Sequence, residues 1–293
     1  MNFMHIINND KSQGWKNILQ IVIPYFFVVS ICQFVGFYFT GLDFSNYKTL
    51  QETPKQLFII MFFSLIGHIL IVYFFRKYVD KQTIVSLGFG KGFIIKDLLL
   101  GILFGFCIML LGFVYLIMNN QIIFKGFLLK PIDFLFSVGV FICVAVLEEL
   151  FLRGYVLNNL LTSFNKYTAL IISSVIFSLM HAPNPNISLI GLIGLFVAGI
   201  FFGLSYIYTK SLWFPIGLHF SWNFFQGTII GFNVSGKSTY SLIITKMNTR
   251  NIWNGGDFGF EASLLSILFQ LFAILIVFVI FKNRLSIQNS LSK

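Results

Sequence analysis

The chain has 293 residues, of which 57% are hydrophobic, 18% aromatic and only 10% charged, and its formal net charge is +10. A soluble domain usually carries about a quarter charged residues, so this composition excludes an ordinary soluble protein and predicts a membrane protein. The positive charge requires no nucleic acid, because basic cytoplasmic loops that face anionic lipid account for it. We therefore expect the lipid bilayer as a partner and no nucleic acid.

Apolar runs long enough to span a hydrocarbon core of ~30 Å recur along the whole chain. They predict an all-α fold, a polytopic membrane bundle of about eight transmembrane helices. No hydrophilic stretch between them is long enough to fold separately, so residues 1–293 are expected to form a single transmembrane domain. The runs lie at roughly 18–41, 56–75, 98–118, 132–152, 167–182, 189–208, 212–232 and 263–281.

The distribution of Lys and Arg predicts the orientation of this bundle. With the N-terminus in the cytoplasm, twelve of these residues fall in inner segments and seven in outer segments. Because basic residues favour the cytoplasmic side, we expect a multi-pass protein of the cell membrane with both termini in the cytoplasm. The inner set is Lys11, Lys16, Arg76, Lys77, Lys81, Lys91, Lys96, Lys166, Lys210, Lys282, Arg284 and Lys293, and the outer set is Lys48, Lys55, Lys125, Lys130, Lys237, Lys246 and Arg250.

Two adjacent carboxylates interrupt the fourth apolar run. Of the ten Asp and Glu residues, only Glu148 and Glu149 lie well inside such a run, and the other eight lie in polar loops or at segment ends. An ionisable side chain at the bilayer centre costs at least ~2.5 kcal/mol, so a pair is expected to have a function. Glu149 and Arg153 have the i, i+4 spacing of a helical ion pair, with the acid on the favourable N-terminal side. We interpret them as a buried structural ion pair, which leaves Glu148 free for proton transfer.

Three histidines and an asparagine also lie in the apolar runs. His219 and Asn223 are four residues apart, on one face of a helix. Glu148 precedes the polar turn at 162–166 by about 16 positions and His181 follows it by about 16. In an antiparallel helical hairpin these two residues reach the same depth, roughly 24 Å from the turn, and can face each other. His68 is expected to make only a hydrogen bond between helices.

These residue types match what hydrolysis of an amide requires. Glu148 with His181 could activate a water molecule, and His219 with Asn223 could donate to the developing oxyanion. One carboxylate and two histidines are also the protein ligands of a catalytic zinc site with an open position. The sequence therefore leaves two alternatives open: Zn²⁺ bound through Glu148, His181 and His219, or a metal-independent reaction.

Three short motifs carry a resemblance to a known family. Glu-Glu-x-x-x-Arg at 148–153, Phe-x-x-x-His at 177–181 and His-x-x-x-Asn at 219–223, in this order, resemble the CAAX-processing and bacteriocin-processing (CPBP, or Abi) intramembrane proteases. The resemblance covers about 130–230, the expected catalytic core.

The resemblance implies a role for each residue of the motifs. Glu148 would activate water with help from His181, and His219 and Asn223 would bind the oxyanion. The ion pair of Glu149 and Arg153 would hold the site together. Both a metalloprotease mechanism and a metal-independent glutamate mechanism are argued for this family.

We therefore expect a buried polar active site in an intramembrane endopeptidase that cleaves membrane-anchored peptides or lipidated proteins. The polar cavity is expected among spans four to seven and open toward the cytoplasm. The first alternative is a non-catalytic bacteriocin-immunity or scaffold protein, in which Glu148→Gln would leave function intact. A proton-coupled transporter with a relay of glutamates is the third hypothesis, because the sequence shows no convincing inverted repeat.

Overall fold

The computed structural model describes residues 13–43, 52–90 and 93–291, except for the side chains of 282–291. Six helical segments are long and apolar enough to cross a membrane, and the helix at 166–180 is apolar but shorter. The predicted all-α membrane bundle is confirmed. The helices are α1 (Gln13–Thr40), α2 (Pro54–Phe74), α3 (Ile94–Met118), α4 (Pro131–Glu149), α5 (Asn158–Ser163), α6 (Lys166–Met180), α7 (Leu189–Thr209), α8 (Trp213–Asn223) and α9 (Leu264–Leu291).

Some of the residues used to predict orientation cannot be located. Lys11, Lys48, Lys91 and Lys293 lie outside the described residues, as do both chain termini and the side chains of Lys282 and Arg284. The predicted position of the termini therefore remains a prediction.

The fourth span is longer than the sequence predicts. A π-helical segment, Leu150–Leu157, joins α4 to α5 without a break, so one continuous helix runs from 131 to 163 instead of ending near 152. A π-helix satisfies its backbone by i to i+5 hydrogen bonds, and such segments occur often at functional sites. The apolar run ends early in the sequence because buried polar side chains follow it.

Asn159, one of the polar residues after that apolar run, belongs to a buried cluster on the face of the bundle that holds the 163–166 turn. Asp80 accepts hydrogen bonds from Arg76 at 2.9 Å, from Asn17 at 2.8 Å and from Asn159 at 3.1 Å. These donors come from α1, from α5 and from the π-helical segment Phe75–Val79 that continues α2, so the cluster connects three helical segments. The cost of burying Asp80 and Arg76 is offset by this full set of partners.

Glycines allow the closest helix contacts, as the small-xxx-small spacing at 101–105 and 199–203 predicts. A Cβ atom at Gly101 would lie 2.3 Å from the backbone oxygen of Phe214, and one at Gly105 would lie 2.0 Å from Ser221 Oγ. The backbone of α3 therefore contacts that of α8, the helix that carries His219. Gly199 of α7 contacts α6 in the same way, at Ser174.

The opposite face of the bundle carries a two-stranded antiparallel ribbon that the sequence analysis did not predict. Strand β1 (Ile122–Phe127) pairs with β2 (Ile243–Met247), with Ile122 opposite Met247. The ribbon joins the loop between α3 and α4 to the long segment between α8 and α9. It therefore fixes the part of that segment that borders the cavity described below.

Candidate active site

The fourth and seventh apolar runs meet at Glu149. Its Oε1 atom accepts a hydrogen bond from Arg153 Nη1 at 2.9 Å and another from His219 Nδ1 at 2.7 Å. All three residues are at least 96% buried. Arg153 therefore does more than pair with a neighbour on its helix, because it helps to hold a carboxylate that orients a histidine 70 positions away in the chain.

The hydrogen bond to Glu149 fixes the tautomer of His219. An ionised carboxylate only accepts, so Nδ1 carries the hydrogen and Nε2 faces the rest of the site. The ring of Phe202 stacks on this imidazole, with the ring centroids 5.0 Å apart and the planes 10° apart. His219 is thus held by a hydrogen bond at one edge and by an aromatic ring on one face.

His181 is the C-cap residue of α6, just before the Pro-rich turn at 183–186. Its Nδ1 donates to the backbone oxygen of Phe177 at 2.8 Å. Because a carbonyl oxygen only accepts, Nε2 of the neutral ring is left as an acceptor. This nitrogen lies 3.9 Å from Glu148 Oε2.

Glu148 lies between the two histidines. Its Oε2 atom is 3.9 Å from His181 Nε2 and 4.0 Å from His219 Nε2, and it has no hydrogen-bond partner among the described residues. These distances exceed the limit of a direct hydrogen bond, while a polar contact of this length is one that a water molecule can bridge.

Two phenylalanines separate the ion pair from the cavity. The guanidinium carbon of Arg153 lies 4.5 Å from the ring centroid of Phe177 and 4.9 Å from that of Phe202. Such contacts stabilise a buried cation and exclude water from it. Phe177 begins the Phe-x-x-x-His motif, so its position in the motif has a physical reason. Phe202 has no sequence signal of its own.

These side chains line a cavity of about 750 Å³. Glu148, His181, His219 and Asn223 all contribute to its wall, and Asn223 is 6% exposed. A second, smaller cavity of about 300 Å³ also borders Glu148. His68 borders that smaller cavity, where its Nε2 accepts from the Tyr25 hydroxyl at 2.8 Å and its Nδ1 donates to the Ser64 oxygen.

The position of the cavity conflicts either with the predicted cytoplasmic N-terminus or with the predicted opening of the cavity toward the cytoplasm. Its rim includes Glu52, Asn184 and the segment 234–240, which lie at the ends of helices opposite to the 163–166 turn and to the start of α1. In a bundle of this topology, the cavity cannot open toward the cytoplasm if the N-terminus is also cytoplasmic. The two predictions exclude each other because the rim and the start of α1 lie at opposite ends of the helices.

Glu261 is a buried ionisable residue of the cavity wall that the sequence did not predict. Glu261 lies in the 3₁₀ turn Phe260–Ala262, is 5% exposed and borders the cavity with both histidines. Burial raises the pKa of this carboxyl, although hydrogen bonds from Ser235 and the charges of His181 and His219 act in the opposite direction. Its polar surroundings in the sequence resemble an ordinary loop, so no apolar run marks it as unusual.

A Zn²⁺ ion bound through Glu148, His181 and His219 would require these three side chains to be arranged as ligands. Zinc holds nitrogen and oxygen ligands at about 2.0–2.2 Å. Among the described residues, no group of three or more His, Cys, Asp or Glu side chains is arranged to hold a metal ion. Glu148, His181 and His219 surround one point, but as they stand they do not fit such an ion.

Comparison with known proteins agrees with the family resemblance. A family model described as type II CAAX prenyl endopeptidase Rce1-like matches residues 129–225. This segment contains all three motifs, from Glu148 to Asn223, and the resemblance to the CAAX-processing proteases is confirmed there. The similarity is to a peptidase family, and the chain is a multi-pass membrane protein. The comparisons with curated proteins and with solved structures gave no match.

Proposed function

We propose that this protein is an intramembrane endopeptidase that hydrolyses a peptide bond with a water molecule activated by Glu148. The observation that carries the proposal is the position of Glu148 Oε2, at 3.9 and 4.0 Å from the Nε2 atoms of two histidines whose Nδ1 atoms are already occupied. A water molecule between them can give one hydrogen to Glu148 and the other to His181. Its oxygen lone pair is then free for attack on a carbonyl carbon.

In this mechanism Glu148 is the general base. Its carboxylate removes a proton from the water as the oxygen attacks, and His181 Nε2 orients the same water by accepting its second hydrogen. The Phe177 backbone oxygen keeps the His181 ring in the required tautomer. Proton transfer of this kind contributes about 10²–10⁴-fold to a rate.

His219 and Asn223 would stabilise the oxyanion of the tetrahedral intermediate. A donor at His219 Nε2 requires the doubly protonated ring. A carboxylate lies beside each nitrogen of this ring, with Glu149 Oε1 at 2.7 Å from Nδ1 and Glu148 Oε2 at 4.0 Å from Nε2. Two preorganised donors in a site with little water are the usual means of stabilising such an oxyanion.

The substrate would be a membrane-anchored peptide or a lipidated protein. A cavity of about 750 Å³ that opens at one face of a membrane bundle can receive a peptide segment near the bilayer surface. Its wall is mixed, with Val140, Phe141 and Leu195 beside the polar groups. A substrate held in the membrane reaches this opening at high effective concentration.

The test compares Glu148→Gln with the wild type on a library of lipid-anchored peptides in detergent or liposomes. Glu52→Gln is a matched control, because Glu52 also borders the cavity but lies at its exposed rim. We expect Glu148→Gln to lower kcat by at least about 10²-fold and Glu52→Gln to retain activity. Equal activity of Glu148→Gln and the wild type, or a cellular phenotype that persists in Glu148→Gln, would favour the immunity or scaffold alternative.

A chelator distinguishes the two kinds of peptidase. We propose the metal-independent mechanism, because the donors as arranged do not form a metal-binding group. Cleavage should therefore continue after prolonged dialysis against EDTA and 1,10-phenanthroline. Loss of cleavage that added Zn²⁺ restores would instead assign a metal to Glu148, His181 and His219.

A further inference from the structure

Glu261 is a buried carboxylate of the cavity that the mechanism above does not use. It lies about 40 residues beyond the last motif and outside the segment that matches the family model. Its backbone is fixed by α7, because a Cβ atom at Gly194 would lie 2.3 Å from the Glu261 backbone oxygen. The side chain therefore has a defined place in the cavity wall.

Among the described residues, hydrogen bonds reach one of the two carboxyl oxygens of Glu261. Oε1 accepts a hydrogen bond from the Ser235 backbone N–H at 2.5 Å and another from Ser235 Oγ at 3.2 Å. No hydrogen bond to Oε2 occurs among the described residues. Since Glu261 borders the cavity, Oε2 is the oxygen left for whatever the cavity holds.

This arrangement suits a neutral carboxylic acid. Oε1 accepts two hydrogen bonds, as a carbonyl oxygen does, and Oε2 can carry the hydrogen. Burial raises the pKa of Glu261 and so favours this form. The other charged and titratable groups that share the cavity are Glu148 of α4, His181 after α6, His219 of α8, Lys237 and Tyr240 of the segment after α8, and Glu52 at the rim.

Hydrolysis of an amide requires an acid as well as a base. In the proposed mechanism Glu148 accepts the proton of the water, and His219 and Asn223 donate hydrogen bonds to the oxyanion. The leaving nitrogen must also receive a proton, because an amide anion is a poor leaving group. Two carboxyls in different environments at one site commonly divide the roles of acid and base.

We propose that Glu261 is the general acid that protonates the leaving amine. This inference rests on the proposed function. As the tetrahedral intermediate collapses, the C–N bond breaks, the oxyanion electrons re-form the carbonyl and the Oε2 hydrogen of Glu261 moves to the nitrogen. The products are a carboxylic acid and an amine. The proton taken up by Glu148 returns through solvent to Glu261, so no other reactant is required.

The test uses a cleaved library peptide in two versions, one with the scissile amide and one with a thioester at the same position. A thiolate leaves without protonation, so only the amide requires the acid. We expect Glu261→Gln, which keeps the oxygen that accepts from Ser235, to lower kcat for the amide by about 10²-fold and kcat for the thioester by less than about threefold. Ser235→Ala, which removes one hydrogen bond to Oε1 but leaves the acid in place, should lower kcat for the amide by less than Glu261→Gln does.

Equal losses on both substrates would make Glu261 a positioning residue and overturn the proposal, as would full amide activity of Glu261→Gln. The wild-type pH profile is a second measurement that does not depend on the folding of a variant. Loss of the His219 proton would slow both substrates alike, so the ratio of amide cleavage to thioester cleavage should fall at alkaline pH as Glu261 loses its proton. Identical alkaline limbs would also overturn the proposal. Failure of the proposed function would look different, because the wild type would then cleave neither substrate.

Discussion

At the scale of single residues, Glu149 Oε1 is the atom that connects the two halves of the site. It accepts from Arg153 on one side and from His219 on the other. The contact with Arg153 follows from the i, i+4 spacing and is present. The contact with His219 could not be read from the sequence, because it joins residues on two helices whose relative rotation depends on packing. Glu149 therefore binds a second helix as well as its neighbour Arg153.

We predict that Arg153→Met destabilises the protein by about 3–5 kcal/mol, because it leaves the charge of Glu149 buried without its cation. Loss of activity should accompany it, since Glu149 would no longer hold the ring of His219. The measurement is unfolding in detergent, followed through tryptophan fluorescence.

The double variant Glu149→Gln/Arg153→Met provides the control for this prediction. With no charge left unpaired, it should be more stable than Arg153→Met alone, which gives a clear coupling energy between the two sites. If the two substitutions lower stability additively, the pair has no energetic coupling and the prediction is wrong.

At the scale of elements, the contact between α3 and α8 positions His219 and Asn223, the proposed oxyanion donors. Gly101 and Gly105 let the two backbones touch, and α8 carries His219 and Asn223 on the next turns. The spacing of the glycines predicts a close helix contact. It does not identify the partner helix, because any helix with small residues or exposed backbone could have filled that place.

We predict that Gly105→Ala destabilises the protein by about 1–3 kcal/mol, the usual cost of overpacking. The new Cβ atom would lie 2.0 Å from Ser221 Oγ and 2.9 Å from the Trp222 backbone nitrogen, so α8 must move. Peptidase activity should fall more than stability alone explains, because that shift also moves His219 and Asn223.

Gly90→Ala is the matched control for the glycine experiment, since a Cβ atom at Gly90 would meet nothing within 4 Å. Thermal unfolding and cleavage should be measured on both variants. Similar behaviour of Gly105→Ala and Gly90→Ala would show that the close contact between α3 and α8 is not needed.

At the scale of the whole molecule, the face on which the cavity opens determines which substrates can reach it. The excess of basic residues on the side of the 163–166 turn predicts that this side is cytoplasmic, and the cavity opens on the other face. With that orientation, substrates would arrive from outside the cytoplasm.

We predict that Ser238→Cys, at the cavity rim, reacts with a membrane-impermeant maleimide on intact cells, and that Lys166→Cys does not. Both positions are exposed on the protein, so the side of the membrane on which each residue lies decides whether it reacts. Cys32, Cys107 and Cys143 should first be replaced by Ala to remove background labelling. The reverse pattern would show a cavity open to the cytoplasm and would refute the predicted position of the termini.

The sequence by itself determined that this is a multi-pass helical membrane protein, and it predicted most of the candidate site residues. A bilayer imposes apolar runs and penalises buried charge, so the helices, Glu148, Glu149, Arg153 and the histidines stand out against their surroundings. Only the tertiary structure decided that Glu149 contacts His219 and that Phe202 stacks on the His219 ring. It also decided on which face of the bundle the cavity opens and that Glu261 borders it. These features depend on how helices distant in sequence rotate and pack against each other. Glu261 lies in a polar segment, where a carboxylate is ordinary, and only folding buries it.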